Sequence, residues 1–449
     1  MGVVIQISQL LLSLSLLIIL HELGHFIFAR LFKVRIEKFY LFFDPWFSIF
    51  KVKKGETEYG LGWLPLGGYV KISGMMDESL DKEQLKQPPQ PYEFRSKPTW
   101  QRLLIMLGGV LVNLILGFLI YSMVLFVWGE KYLPNKSMKD GIWCVDTIAN
   151  NIGFKTGDKI ISINGNSIER FDDIFKDILF GGSVKVIRDN KEVEFTIPED
   201  FISKIIDKRN LLLFYPRVPF IVKEIPDTSW NARSGLMPRD QVIGINGVMF
   251  KYYDEYQTII DTIKPGAIQL SIRREGKQDT AITALLNGQK KLGIYNAFPT
   301  FDEMEKLGLY HLETNTFTFA QSIPAGWNLA REKLGSYIKQ FKLLFNIKSG
   351  AYKGLGGFGA IGGLYPRTWE WDIFWEITAF LSLILAFMNV LPIPALDGGH
   401  VTFLFFEMIT GRKPSEKFLE YAQIAGMVIV LGLVLYANLN DLLYWLSNK

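Results

Sequence analysis

The sequence predicts a polytopic α-helical membrane protein: four transmembrane helices, a β-hairpin between the first two, and two inserted α+β repeats. Three observations carry that prediction. Four stretches reach or approach the roughly 20 apolar residues that a helix needs to cross a bilayer. The region 131–370, between the second and third of them, is far more polar and repeats itself at an offset of 82 residues. The composition is 49% hydrophobic yet 21% charged, with mean hydropathy +0.16, which suits spans combined with sizeable water-exposed parts. A net charge of +4 is small for 449 residues and leaves no nucleic-acid footprint. The single cysteine, Cys144, excludes an intrachain disulfide and a cysteine-rich metal site.

The first span falls in residues 1–32, with no lysine or arginine before Arg30. It lacks a basic leader, is too long, and carries its charged residues mid-segment, so it reads as a permanent span rather than a secretory signal. The second, 103–128, contains no charged residue. The third, 373–397, is interrupted by Glu376 and ends in a Pro/Gly break at Asp397. The fourth, 421–446, carries Asn438, Asn440 and Asp441 near its end. Twelve lysines and arginines lie in 33–102, and Arg412, Lys413 and Lys417 precede the fourth span. Basic loops stay on the cytoplasmic side, so both linking loops are expected there, with both chain ends and 131–370 outside.

Within the polar region, Gly153 to Gly165 aligns without a gap on Gly235 to Gly247. Each copy reads as a loop with an aspartate, an alternating strand and an Asn-Gly turn. The pattern resembles PDZ domains, which implies two tandem copies over 133–210 and 211–295. Such domains add an extended peptide to a sheet edge; equally, the repeats serve as spacers or as a steric filter. In the linker 315–350, Trp327, Leu334, Ile338, Phe341 and Phe345 recur at helical spacing, with Arg331, Lys333, Lys339 and Lys342 at the other positions. That pattern predicts a basic amphipathic helix over 327–346, lying on the outer membrane surface or packed on the repeats.

His21-Glu22-Leu23-Gly24-His25 supplies the chemistry. On a helix, histidines four apart share a face and can grip one zinc ion, while the glutamate between them can accept a proton from water. Inside an apolar span such groups are costly, which points to function. Catalytic zinc takes three protein ligands and keeps one position open. Asp397, at the break after Asn389-Val390-Leu391-Pro392, is a natural oxygen ligand, and His400 competes for the role. Irregular backbone at membrane depth is tolerated where it is buried in protein or lines a wet cavity.

These motifs, with Gly109 to Asn113 in the second span and the tandem insertion, resemble the site-2 protease family of intramembrane zinc metalloproteases over essentially the whole chain. The layout is similar to its bacterial regulator-of-sigma-E-protease type. The resemblance implies His21, His25 and Asp397 as Zn2+ ligands, Glu22 as general base, and Asn389 as a holder of the substrate backbone. It also implies that 58–72, read as two short strands around Leu64-Pro65-Leu66, is a re-entrant β-hairpin whose Gly67, Gly68 and Tyr69 bind substrate; the alternative is a plain cytoplasmic hairpin. The expected substrates are single-span membrane proteins such as an anti-sigma factor, or remnant signal peptides, cut at a bacterial inner membrane. The insertion, with the 327–346 helix, is expected to exclude substrates with bulky outer domains. One departure stands out: Gly354-Leu355-Gly356-Gly357-Phe358-Gly359 lacks the Gly-Pro often found there in related members.

Overall fold

A computed structural model describes residues 1–65, 67–75, 88–179, 181–198, 201–205, 212–274, 278–346 and 350–447, and divides the chain into two compact units. One comprises 1–129, 316–347 and 351–449; the other, 130–315 with 348–350.

Among the described residues, the first unit holds four helices long and apolar enough to cross a membrane: Gly2–Leu31, Thr99–Val127, Trp371–Val390 and Lys417–Ser447. The second starts at Thr99, ahead of its charge-free run, because Pro98 precedes it. A proline forces the residue before it out of the helical region, and Lys97 is indeed extended. The first and second spans cross at glycines. A Cβ on Gly24 would lie 2.3 Å from Gly108 O, and one on Gly108 2.6 Å from Gly24 O, so the backbones touch. Where no water is available, polar side chains between spans must pair with protein. Ser13 Oγ meets Thr378 Oγ1 at 3.0 Å, and Ser382 Oγ donates to Asn113 O at 2.7 Å. The polar end of the fourth span grips the glycine-rich segment 354–360. Asp441 Oδ2 accepts from Gly357 N and Ala360 N at 3.0 Å each, and Asn440 Nδ2 donates to Leu355 O at 2.8 Å.

The 58–72 region forms strands but not a hairpin. Four strands, β1 (Ile36–Leu41), β2 (Phe50–Lys54), β3 (Thr57–Leu61) and β4 (Tyr69–Ile72), lie in the order β2-β3-β1-β4. β1 runs between β3, parallel to it, and β4, antiparallel to it. The reason is packing: the Tyr40 ring lies over Gly60, where a Cβ would come within 2.2 Å, and stacks on Tyr69 at 5.2 Å between centroids. Leu66, in the expected turn, lies outside the described residues.

The linker helix runs Phe319–Leu343, longer than expected at its start, where Thr318 and Gln321 form a capping box. It packs on the second and third spans. Trp327 meets Phe118 edge-on at 5.7 Å, and Phe341 meets Phe387 at 5.2 Å. An added Cβ on Gly326 would come 2.3 Å from Ser122 Oγ.

In the second unit the two aligned copies do the same structural work. Asp158 Oδ2 accepts from Lys155 N and Asp240 Oδ2 from Met237 N, both at 2.8 Å. Each buried carboxylate pairs with an arginine, Arg188 at 2.7 Å and Arg274 at 2.6 Å. The strands Lys159–Ile163 and Gln241–Ile245 then end in Asn-Gly turns with positive φ at both residues, 52° and 78° in one copy and 49° and 81° in the other. Each asparagine Oδ1 accepts from the next strand, Ser183 N at 3.0 Å and Gln269 N at 2.8 Å. The expected boundary at 210/211 lies outside the described residues.

Candidate metal centre

The helical register of the first span puts His21 and His25 on one face. The third span stops at Val390, since Pro392 and Pro394 lack the N–H that a helix needs. Ala395 takes a left-handed φ of 83°, and a new helix, Asp397–Thr410, starts with Asp397 as its first residue. That helix is docked on the second span by the part-buried ion pair Arg102–Glu407 at 2.5 Å. Thus residues far apart in sequence meet. His21 Nε2 lies 3.1 Å and His25 Nε2 3.3 Å from Asp397 Oδ2, and the two nitrogens are 3.3 Å apart.

Hydrogen-bond accounting shows what this cluster lacks. His25 Nδ1 is 2.8 Å from Ile105 O, and a carbonyl only accepts, so Nδ1 carries the proton and Nε2 turns a lone pair to the centre. Asp397 Oδ2 is buried and has no hydrogen-bond donor. Lone pairs converging at such distances repel unless a cation sits among them, and a His-His-carboxylate set suits zinc. The residues fit the metal. The second span passes close by: a Cβ on Gly109 would lie 2.6 Å from His25 Nε2 and from His21 Cε1.

A cavity of about 600 Å³ opens beside the cluster, lined by Glu22, Tyr69, Val70, Met106 and Leu396 among others. The Val70 amide bonds to the Glu22 carboxylate, so β4 lies against the residue between the two histidines. β4 is an edge strand: among the described residues its outer side pairs with no other strand. Tyr69 OH donates to Asp44 Oδ1 at 2.9 Å. Gly68 also lines the cavity, with Ile18 Cγ2 2.6 Å from where its Cβ would be, whereas Gly67 does not line it and packs on Phe43, which does. Asn389 Nδ2 is 3.4 Å from His21 Nε2, at the margin of the cluster. His400 lines the cavity without joining the cluster, and His311 belongs to the other unit.

Sequence reasoning gave no role to Asp44, to the Arg102–Glu407 pair or to Asn113, whose amide faces His21 Nδ1 at 3.2 Å. Only Asn113 carried a signal, as an amide in an otherwise charge-free span.

Comparison with known proteins agrees with the geometry. The model of peptidase family M50 matches residues 9–433. A protein of Borreliella burgdorferi named as a zinc metalloprotease is 28% identical, over 96% of this chain and 98% of its own length. The metalloprotease MmpA of Caulobacter vibrioides is 26% identical, over 98% of this chain and 96% of its own.

Proposed function

Because the chain belongs to peptidase family M50, the site-2 protease family, and is a multi-pass zinc metalloprotease, we propose that it hydrolyses peptide bonds inside the transmembrane segments of single-span membrane proteins. The observation that carries this reading is the position of the His21/His25/Asp397 cluster. Both histidines lie within a 30-residue apolar helix, and the carboxylate joins them from a break between two other helices. A protease for soluble substrates has no need to bury these groups among spans.

In this reading His21, His25 and Asp397 hold zinc and Glu22 is the general base. Zinc, when bound, polarises the scissile carbonyl and acidifies water near neutral pH. Glu22, oriented by the Val70 amide, accepts the water proton and returns it to the leaving amine. The free edge of β4 receives the unwound substrate as an added strand, with Gly68 and Tyr69 beside the cavity and Gly67 shaping the approach. Asn389 holds the substrate backbone. A helical substrate must unwind first, so helix-weakening residues in it favour cleavage. Anti-sigma-factor-like proteins and remnant signal peptides fit this chemistry. The bacterial inner membrane is the expected setting, with the metal centre toward the cytoplasmic side. The two repeats act as PDZ-like domains on the outer side, as a filter or a peptide-binding surface.

The test is cleavage of a single-span model substrate by detergent-solubilised protein. Wild type should cut within the span, a zinc chelator should stop it, and Glu22→Gln and Asp397→Ala should be inactive. Cleavage that survives Glu22→Gln would overturn the catalytic assignment. Cuts confined to soluble loops would overturn the intramembrane reading.

A further inference from the structure

His25 has its tautomer set by a backbone carbonyl, while the corresponding nitrogen of His21 faces a side chain. Asn113 is fully buried, its Nδ2 lies 3.2 Å from His21 Nδ1, and its Oδ1 has no hydrogen-bond partner. The two ends of a carboxamide have nearly the same shape, and hydrogen bonding alone decides which is oxygen. With the nitrogen toward His21, the Nδ1 lone pair accepts, and the ring proton sits on Nε2. It then points into the space shared with His25 Nε2 and Asp397 Oδ2, where a metal ligand needs a lone pair. With the oxygen toward His21, Nδ1 keeps the proton and donates it, and Nε2 is free. The orientation as placed leaves Oδ1 without a partner, so hydrogen bonding within the protein does not favour it; metal binding chooses the other. The Asn113 backbone is pinned in either case, since its carbonyl accepts from Ser382 Oγ at 2.7 Å.

We propose that Asn113 is a positioning residue of the metal centre, its Oδ1 accepting the Nδ1 proton of His21 so that Nε2 faces a divalent metal. The inference rests on the reading of His21, His25 and Asp397 as ligands. Ile105 O does the same for His25, so the second span orients both ligands of the first. Groups that orient metal-bound histidines in this way typically change metal affinity by about 10–100-fold when removed.

The experiment uses full-length protein in detergent and reads metal rather than activity. Zinc retained against a graded series of chelator is measured by mass spectrometry, and the visible spectrum is recorded after Co2+ substitution. Asn113→Leu, similar in shape but without an acceptor, should hold zinc about 10–100-fold more weakly and shift the Co2+ bands. Asn113→Asp, an acceptor only, should bind within a few-fold of wild type with an unshifted spectrum. That variant decides the matter even where Asn113→Leu fails to fold: loss of zinc in a folded Asn113→Asp protein overturns the proposal. Wild-type affinity and spectrum in Asn113→Leu would also overturn it. His21→Ala and Asp397→Ala separate the underlying reading, since zinc retained in those variants means that the ligand set itself is wrong.

Discussion

At the residue scale, the two histidines and Glu22 were legible because their relation is local: three side chains within five residues of one helix. Asp397 was legible through its surroundings, because prolines and glycines that end an apolar helix leave an acid that needs a partner. Asp44 had no such local mark and Asn113 showed only as an amide in a charge-free span, since their work depends on which side chains the tertiary fold brings within hydrogen-bonding reach. Glu22→Gln should keep wild-type zinc content while lowering the rate by at least the 10²–10⁴-fold that a general base typically contributes; metal analysis beside a cleavage assay checks both halves. A second prediction concerns Cys144. Burial, with Asp158 adding to it, pushes its thiol up to about 12, so almost no thiolate exists at pH 8. The native protein should resist alkylation at that pH, and unfolding should expose one reactive thiol per chain, counted by intact mass.

Elements were legible where a single periodicity governs them. The first, second and fourth spans appear within a few residues of their expected limits, whereas the third stops at Val390, short of the expected 397, where Pro392 and Pro394 end the helix; apolar length is a property of the segment alone. Strand pairing is not. The segments 58–63 and 67–72 look like hairpin partners by proximity, yet β1 separates them because the Tyr40 ring needs the space over Gly60. The amphipathic helix was legible as a helix, and its packing on the second and third spans was not. Its apolar stripe suits a lipid surface and a protein surface alike, so the close approach of Gly326 to Ser122 left no mark in the periodicity. Two predictions belong here. Gly109→Ala should favour the second span as a helix by about 1 kcal/mol, yet its Cβ would meet both histidine rings at 2.6 Å. The protein should therefore remain helical by circular dichroism and lose zinc. Arg102→Met leaves the half-buried Glu407 with Thr99 Oγ1 at 3.2 Å as its remaining donor, and losing a hydrogen bond to a charged group typically costs about 1.5–3 kcal/mol. Thermal unfolding should show that loss, and Glu407→Leu added to Arg102→Met should recover much of it.

For the whole molecule, the division into an apolar unit and a polar insertion could be read from composition, and the internal repeat from simple self-alignment. What the insertion does could not, because exclusion and peptide binding place similar demands on a sequence. A deletion of 130–315 bridged by a short Gly/Ser linker separates them. If the insertion is a filter, the shortened enzyme should keep its zinc and cut substrates whose bulky outer domains the full chain rejects. Unchanged selectivity, measured with a substrate series of graded outer-domain size, would rule the filter out.

The strand pairing at the root of the insertion makes that surgery practical. Glu130–Tyr132 and Glu313–Asn315 are antiparallel partners, with Glu130 opposite Asn315. Such partners lie about 5 Å apart, so the chain leaves the insertion where it entered. The polar unit is thus a cassette with neighbouring termini, and any independently folding domain whose ends meet is a candidate replacement. Grafting at this junction leaves every residue of the first unit unchanged, so the insertion's role can be read by exchange as well as by deletion.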